Sequence, residues 1–166
     1  MGRAWRRWAV VCGLGMAVLW GSAAVRARRT AAATDWLTGA GDRAAFRRAL
    51  ERKRPVRGLV LAKLRGMEQV NQIRGYRAGD EIIARAAESL RLVCGDGSDL
   101  YRIGGCTFVA VLPGGNGPAP DRAAARSARI YGAGQAGERL MVSWAAGPGT
   151  VQRLFRQADI RLRQAR

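Results

Sequence analysis

The sequence predicts an α+β sandwich in which one central, mostly antiparallel sheet is flanked by helices. Apolar runs of strand type alternate with segments of helical apolar spacing throughout residues 35–166. Two strand-type runs meet at Gly104-Gly105, which predicts a tight hairpin whose turn uses the positive φ angles that glycine permits. Strands interspersed with helices around a hairpin are typical of this fold class.

Each predicted element follows from a local pattern. Asp42 is a good helix N-cap, and Pro55 predicts that this first helix ends by residue 54. Apolar residues recur at helical spacing in residues 80–93 and in residues 151–165. The predicted order is helix 43–54, strand 58–64, helix 67–74, a break at 75–79, helix 80–93, hairpin 99–112, a loop at 114–120, helix 121–131, strand 140–145 and helix 151–165.

The chain divides into a basic tail 1–7, an apolar segment 8–25, a linker 26–34 and a domain 35–166. The apolar segment has 18 uncharged residues, which is at the short end of what spans a bilayer. Arginines on its two sides nearly balance, so charge alone does not fix its orientation. We expect an uncleaved, single-pass anchor in the inner (cytoplasmic) membrane, with the C-terminal domain in the cytoplasm. A cleaved signal peptide is the alternative, which the arginines near the cleavage-like site disfavour.

The composition excludes several kinds of chemistry. The chain has no His, which removes Ser–His and Cys–His pairs and the commonest metal ligand. Its three cysteines lack zinc spacing and are odd in number, which favours a reducing compartment. The net charge is +17, and all basic residues except Lys53 and Lys63 are arginine. This excess indicates either codon bias in a GC-rich genome or a surface for anionic lipid, nucleic acid or nucleotide phosphate.

Four sequence blocks of the domain resemble the GGDEF family, the diguanylate cyclases. Residues 35–43 resemble the family opening D-x-L-T-G-L-x-N-R, and residues 63–80 resemble D-I-D-x-F-K-x-I-N-D-x-x-G-H-x-x-G-D. Residues 102–108 resemble R-x-G-G-D-E-F, and residues 158–166 resemble A-D-x-A-L-Y-x-A-K. The resemblance covers residues 35–166 and implies the nucleotidyl-cyclase-like sandwich of that family.

The resemblance also implies that the metal-binding carboxylates of active relatives are missing. In those relatives two GTP molecules meet across a dimer, and each ribose 3′-hydroxyl attacks the α-phosphate of the other with the help of Mg²⁺. The expected carboxylates lie at the end of the first strand and in the hairpin. This chain has Lys63 and Arg65 on the strand and Cys106 and Thr107 in the hairpin. We therefore expect no catalytic residue, no metal site and no cofactor.

The resemblance implies that other positions used for nucleotide binding keep suitable residues, namely Asn71, Asp80, Gly104, Gly105 and Arg166. Lys63 is a further candidate, as a fixed cation that binds nucleotide phosphates in place of the metal. The resemblance assigns guanine recognition to Asn71 and Asp80, but a helix terminus and a helix cap are equally good roles for them. The paired glycines also suit a simple hairpin tip, and Lys63 suits a strand end that reaches solvent. The product-inhibition motif R-x-x-D falls on residues 95–98 and is absent, so cyclic di-GMP is not expected there.

We therefore expect a membrane-anchored, degenerate GGDEF pseudoenzyme of bacterial cyclic di-GMP signalling. It would bind GTP or another guanine nucleotide, or act on a protein partner, and a homodimer is a further expectation. Nucleic acid is not expected, because no aromatic residues are interleaved with the basic ones. Two alternatives stay open: an active diguanylate cyclase with a non-standard Mg²⁺ site, and a basic protein that binds a membrane surface or nucleic acid. Cys106 is a candidate redox-sensitive thiol if Arg102 lowers its pKa, and a passive turn residue otherwise.

Overall fold

The computed structural model describes residues 33–52, 55–95, 97–114, 117–131 and 137–165. The basic tail, the predicted anchor 8–25 and Arg166 lie outside these ranges. Within them, no helix has the length and apolar character needed to cross a membrane. Residues 34–166 form one compact unit.

The domain has four strands in one antiparallel sheet of order β2-β3-β1-β4. In chain order the elements are α1 (Arg43–Glu51), β1 (Val56–Arg65), α2 (Met67–Cys94), β2 (Asp99–Gly104), β3 (Thr107–Leu112), α3 (Pro120–Tyr131), β4 (Arg139–Gly149) and α4 (Val151–Gln164). The register of β1 and β3 runs from Gly58 opposite Leu112 to Lys63 opposite Thr107. The predicted mixture of helices and antiparallel strands is confirmed.

The helices pack in pairs on opposite sides of the sheet. Side chains alternate along β1, as they must in an extended strand. Val60, Ala62 and Leu64 belong to a core shared with α2 and α3, whereas Leu59 and Leu61 belong to a core shared with α1 and α4. We call the first face of the sheet side A and the second face side B.

Local side-chain chemistry fixes the helix ends. Asp42 caps α1 as predicted, since its Oδ1 accepts a hydrogen bond from Ala45 N at 2.7 Å. Thr150 caps α4 in the same way, through Arg153 N at 3.3 Å. The first helix ends at Glu51 rather than at residue 54, because the backbone is already extended at the following residue.

The predicted break at 75–79 is only one residue wide. Gly75 has non-helical angles (φ 78°, ψ 165°), and α2 resumes directly after it. Gly79 is instead a packing glycine, because a Cβ atom there would lie 2.1 Å from Asn71 Oδ1. The sequence pattern could not distinguish a glycine that kinks the helix from one that permits close contact within it.

Candidate functional site

The end of β1 presents two cationic side chains beside the hairpin. Lys63 lies directly opposite Thr107 on β3 and is exposed. Two residues further on, Arg65 lies opposite Arg139 on β4 and is also exposed. Both first-strand positions where the resemblance expects carboxylates therefore carry solvent-facing positive charge.

The β2–β3 turn is held against β1 by its backbone. Gly105 and Cys106 form the two-residue loop, and Leu64 N donates a hydrogen bond to Cys106 O at 2.9 Å. The predicted hairpin is confirmed, but the predicted positive φ angles are wrong. Neither Gly104 nor Gly105 is among the glycines with a positive φ. The pairing of β2 with β3 instead shifts by a bulge between Arg102 and Gly104, and a bulge bends its strand locally.

The tip of the hairpin is open to solvent at both glycines. A Cβ atom on Gly105 would meet nothing within 4 Å, and one on Gly104 would come no closer than 3.9 Å to Thr107 Oγ1. The fold itself therefore does not require glycine at either position. The open backbone leaves room for close approach of a ligand.

Arg102 joins the hairpin to the loop that begins at Asp35. Its Nη1 donates to both carboxylate oxygens of Asp35, each at 3.0 Å. Its Nε and Nη2 donate to Gly105 O at 3.2 and 2.8 Å. Asp35 also accepts hydrogen bonds from the amide and hydroxyl of Thr38, at 3.0 and 2.7 Å. The two side chains of the ion pair are only 14% and 17% exposed, so Arg102 acts as a largely buried clamp.

The contacts of Asp35 make the stability of the domain depend on pH. Burial alone would raise the pKa of Asp35. Hydrogen bonds from Thr38 and Arg102, together with the charge of Arg102, outweigh burial and hold this pKa below the usual value of an aspartate. A carboxyl with a lowered folded-state pKa stabilises the fold above its unfolded-state pKa. That contribution is lost as the pH falls through the folded-state pKa.

We expect Asp35→Asn to reduce the acid dependence of stability, because asparagine does not titrate. The measurement is urea unfolding of the parent and the variant from about pH 7 down to about pH 3, below the usual aspartate pKa. The parent should lose more stability than the variant over the acid end of this range. Parallel losses in the two proteins would show that Asp35 does not carry this dependence.

Asn71 and Asp80 lie on α2, on either side of the kink at Gly75. Asn71 is half-buried, and its Oδ1 is the one buried side-chain nitrogen or oxygen without a hydrogen-bond partner in the described part of the chain. That oxygen lies against the backbone of Gly79. Asp80, the next residue, is also half-buried. The structure thus brings Asn71 into contact with the residue before Asp80, while Arg166 lies outside the described residues.

The family model described as "Diguanylate cyclase, GGDEF domain" matches residues 32–166. The chain belongs to the GGDEF domain family. No curated protein sequence matches the chain.

Solved structures of GGDEF domains share this fold. The coiled coil and GGDEF domain of DgcB from Caulobacter crescentus, in complex with c-di-GMP, is 19% identical with a TM-score of 0.65, covering 93% of this chain and 91% of that one. Vibrio cholerae LapD, an S helix-GGDEF-EAL protein bound to c-di-GMP, is 16% identical with a TM-score of 0.66, and the match covers 87% of this chain and 37% of the LapD chain. SiaD from Pseudomonas aeruginosa, in complex with its activator SiaC, is 20% identical with a TM-score of 0.65, and the match covers 96% of this chain and 68% of the SiaD chain.

The donor atoms of this GGDEF domain differ from those that Mg²⁺ prefers. Cyclases of the family use Mg²⁺, which takes carboxylate and water oxygens in a near-octahedral arrangement. The side chains that the resemblance places at those positions are an amine, a guanidinium, a thiol and a hydroxyl, on Lys63, Arg65, Cys106 and Thr107. Across the described ranges, no group of three or more His, Cys, Asp or Glu side chains could hold a metal ion.

Cys106 lies in the turn of the hairpin, where its side chain is half-buried. Burial raises the pKa of its thiol, and the nearby charges of Arg102 and Lys63 lower that pKa by less. The hypothesis that Arg102 activates this thiol is therefore corrected, because desolvation of the half-buried side chain is the larger effect.

We expect Cys106 to be alkylated by iodoacetamide at pH 7 more slowly than an unfolded control peptide, since the thiolate is the reactive form. Equal rates for the folded protein and the peptide would contradict this assignment.

A buried carboxylate that sequence reasoning missed lies in the same region. Glu138 is 2% exposed, and its Cα would be 3.2 Å from a Cβ atom on Gly66, the residue between β1 and α2. Burial is the main reason why the pKa of Tyr131 is raised to about 12, with smaller upward contributions from Glu138 and Cys106 and a downward one from Arg85. No sequence pattern indicates Glu138, because the glycine-rich sequence before it has no apolar periodicity and its burial depends on tertiary packing.

Proposed function

We propose that this chain is a catalytically inactive GGDEF-domain protein of cyclic di-GMP signalling. Residues 8–25 anchor it in the inner membrane with the domain in the cytoplasm, where it senses a guanine nucleotide or acts on a protein partner. The observation that carries the proposal is the pairing of Lys63 with Thr107 at the end of β1, beside Cys106. An ammonium and a hydroxyl stand where the resemblance expects metal-binding carboxylates.

Electrostatics explains why this site would not hold Mg²⁺. Two unit charges about 4 Å apart interact by about 4 kcal/mol at an effective dielectric near 20. A divalent ion beside the Lys63 ammonium would meet roughly twice that repulsion, with no described carboxylate cluster to offset it. The residues present therefore do not fit the metal.

Guanine binding is supported by the environment of Asn71. The Oδ1 atom of Asn71 has no hydrogen-bond partner, so rotating the amide towards a ligand would break no hydrogen bond of that oxygen. A guanine amino or imino group would supply the missing donor. Asp80, one residue beyond the contact of Asn71 with Gly79, would accept a second guanine N–H. The open backbone at Gly104 and Gly105, with Lys63 nearby, would leave room for phosphates.

An active cyclase with a non-standard site is the second candidate, and Glu138 is the observation that favours it. This buried carboxylate lies beside Gly66, and both Glu138 and Cys106 contribute to the raised pKa of Tyr131. The site would then have one carboxylate, whereas the resemblance implies that active relatives use more than one. If cyclic di-GMP is formed, Glu138→Gln should abolish its formation.

The test of nucleotide sensing is a calorimetric titration of the full chain in detergent micelles with GTP, with and without Mg²⁺. We expect GTP binding that is indifferent to Mg²⁺, is weakened at least about tenfold by Asn71→Ala and by Asp80→Asn, and is retained by the surface control Arg122→Gln. ATP, which lacks the guanine edge, should bind less tightly than GTP. Absence of GTP binding would remove the nucleotide-sensing role and leave protein interaction as the function, for which a homodimer or a separate protein are the candidate partners.

A further inference from the structure

The two helices on side B carry a concentrated positive charge. α1 and α4 together have seven arginines and only two acidic residues in 23 positions. The arginines, all exposed, are Arg43, Arg47, Arg48, Arg153, Arg156, Arg161 and Arg163. The two helices are neighbours, because the rings of Phe46 and Phe155 meet edge-on at 5.2 Å. Their arginines therefore lie on the same side of the sheet, and Arg161 stacks on Trp144 while Arg163 pairs with Asp159.

The helices on side A do not share this charge. α2 and α3 also have seven arginines, but these are spread over 40 positions and accompanied by five acidic residues. Codon bias alone would enrich arginine on both sides of the sheet without regard to which helices share a layer. The asymmetry therefore favours a basic surface with a use.

The basic layer extends to the end of β1. Leu59 and Leu61 belong to the side B core, so the alternation of the strand places Lys63 and Arg65 on the same side as α1 and α4. Both side chains are exposed. The positions at which the family resemblance expects acidic residues have thus become part of this basic surface.

We infer that side B is a docking surface for the anionic headgroups of the inner-membrane leaflet. Each arginine held near such a surface contributes about 1 kcal/mol, or roughly fivefold in affinity. The inference rests on the proposed anchor, from which the nine-residue linker 26–34 can reach at most about 30 Å. That tether gives the domain a high effective concentration at the bilayer, so a modest intrinsic affinity suffices for docking.

A lipid surface fits side B better than a nucleic acid does. Single-stranded nucleic acid is bound through aromatic side chains on which bases stack. α1 and α4 contain the aromatic residues Phe46 and Phe155, of which Phe46 is buried and Phe155 is half-buried against it. The exposed apolar residue on α4 is Ile160, which suits shallow contact with acyl chains.

The test uses an environment-sensitive fluorophore on the full chain reconstituted into vesicles. Gln157→Cys on α4 and, as the matched control, Ala125→Cys on α3 place the label at exposed positions on sides B and A. Cys12 and Cys106 are changed to serine in both, and Cys94 is buried. Vesicles of phosphatidylcholine alone are compared with vesicles that also contain phosphatidylglycerol, at low and high salt.

We expect a salt-sensitive blue shift of the label at position 157 in the anionic vesicles, and none at position 125. Neutralising Arg47, Arg48, Arg153 and Arg156 to Gln should weaken docking at least about a hundredfold. The equal-charge control, which neutralises Arg74, Arg122, Arg126 and Arg129 on side A, should leave docking unchanged.

Equal responses at the two label positions, or no response at either, would overturn the inference. So would a shift at position 157 caused by duplex DNA and not by vesicles. A chain that fails to insert yet shows the lipid response would refute the anchor and retain the docking surface.

Discussion

Replacing Arg102 by alanine is expected to lower the free energy of unfolding by about 2–3 kcal/mol. The arginine donates to both oxygens of Asp35 and twice to Gly105 O. Its removal leaves a largely buried carboxylate without its cation and the hairpin tip without its side-chain donor. Arg102→Lys should recover part of the loss, because an ammonium keeps the charge but not the planar fork. Urea unfolding at neutral pH measures these differences.

The control for Arg102 is the exposed ion pair of Arg77 with Glu81. Its atoms are 3.5 Å apart, and its side chains are 94% and 64% exposed. Exposed pairs of this kind contribute little to stability. We therefore expect Arg77→Ala to unfold at nearly the parent urea concentration. A loss for Arg102→Ala no larger than that for Arg77→Ala would show that the clamp does not stabilise the domain.

Replacing Gly58 by alanine is expected to lower the free energy of unfolding by about 2–3 kcal/mol. A Cβ atom there would lie 2.1 Å from Pro120 Cγ and 2.8 Å from Ala145 O. Because the second atom belongs to the backbone of β4, the strain cannot be relieved by a side-chain rotation. The substitution forces apart β1, β4 and the start of α3, and thermal or urea unfolding measures the loss.

The matched control for Gly58 is Gly105. A Cβ atom at Gly105 would meet nothing within 4 Å, and its φ is not positive. Gly105→Ala should therefore change the stability by no more than about 0.5 kcal/mol, as is usual for surface substitutions. If the two variants were equally stable, the close packing of β1 against α3 would be refuted.

The elements with local patterns could be predicted from the sequence. Four features each depend on residues only a few positions apart: the helix cap at Asp42, the strand at 58–64, the hairpin and the last helix. The prediction of positive φ angles at Gly104 and Gly105 is wrong. The turn conformation depends on the bulge after Arg102, which arises from the pairing of β2 with β3. The width of the break in α2 was also wrong, because Gly79 packs against Asn71 within the helix.

The features that organise the site could be predicted only in part. The cations at Lys63 and Arg65 could be read directly, as could the missing carboxylates relative to the family pattern. The clamp between Asp35 and Arg102 joins residues 67 positions apart, and no periodicity links them. The basic surface could also be predicted only in part. The number of arginines is evident from the sequence, but the packing of α1 beside α4 is what concentrates their charge on one side of the sheet.

The most direct test of catalytic inactivity is to incubate the full chain with GTP and Mg²⁺ and to analyse the products by chromatography. An active diguanylate cyclase assayed in parallel establishes the detection limit. We expect that no cyclic di-GMP is formed, because Lys63, Arg65, Cys106 and Thr107 stand where the family resemblance expects metal-binding carboxylates. Mg²⁺-dependent formation of cyclic di-GMP would show that the domain is not inactive and would identify the chain as a cyclase with a non-standard site.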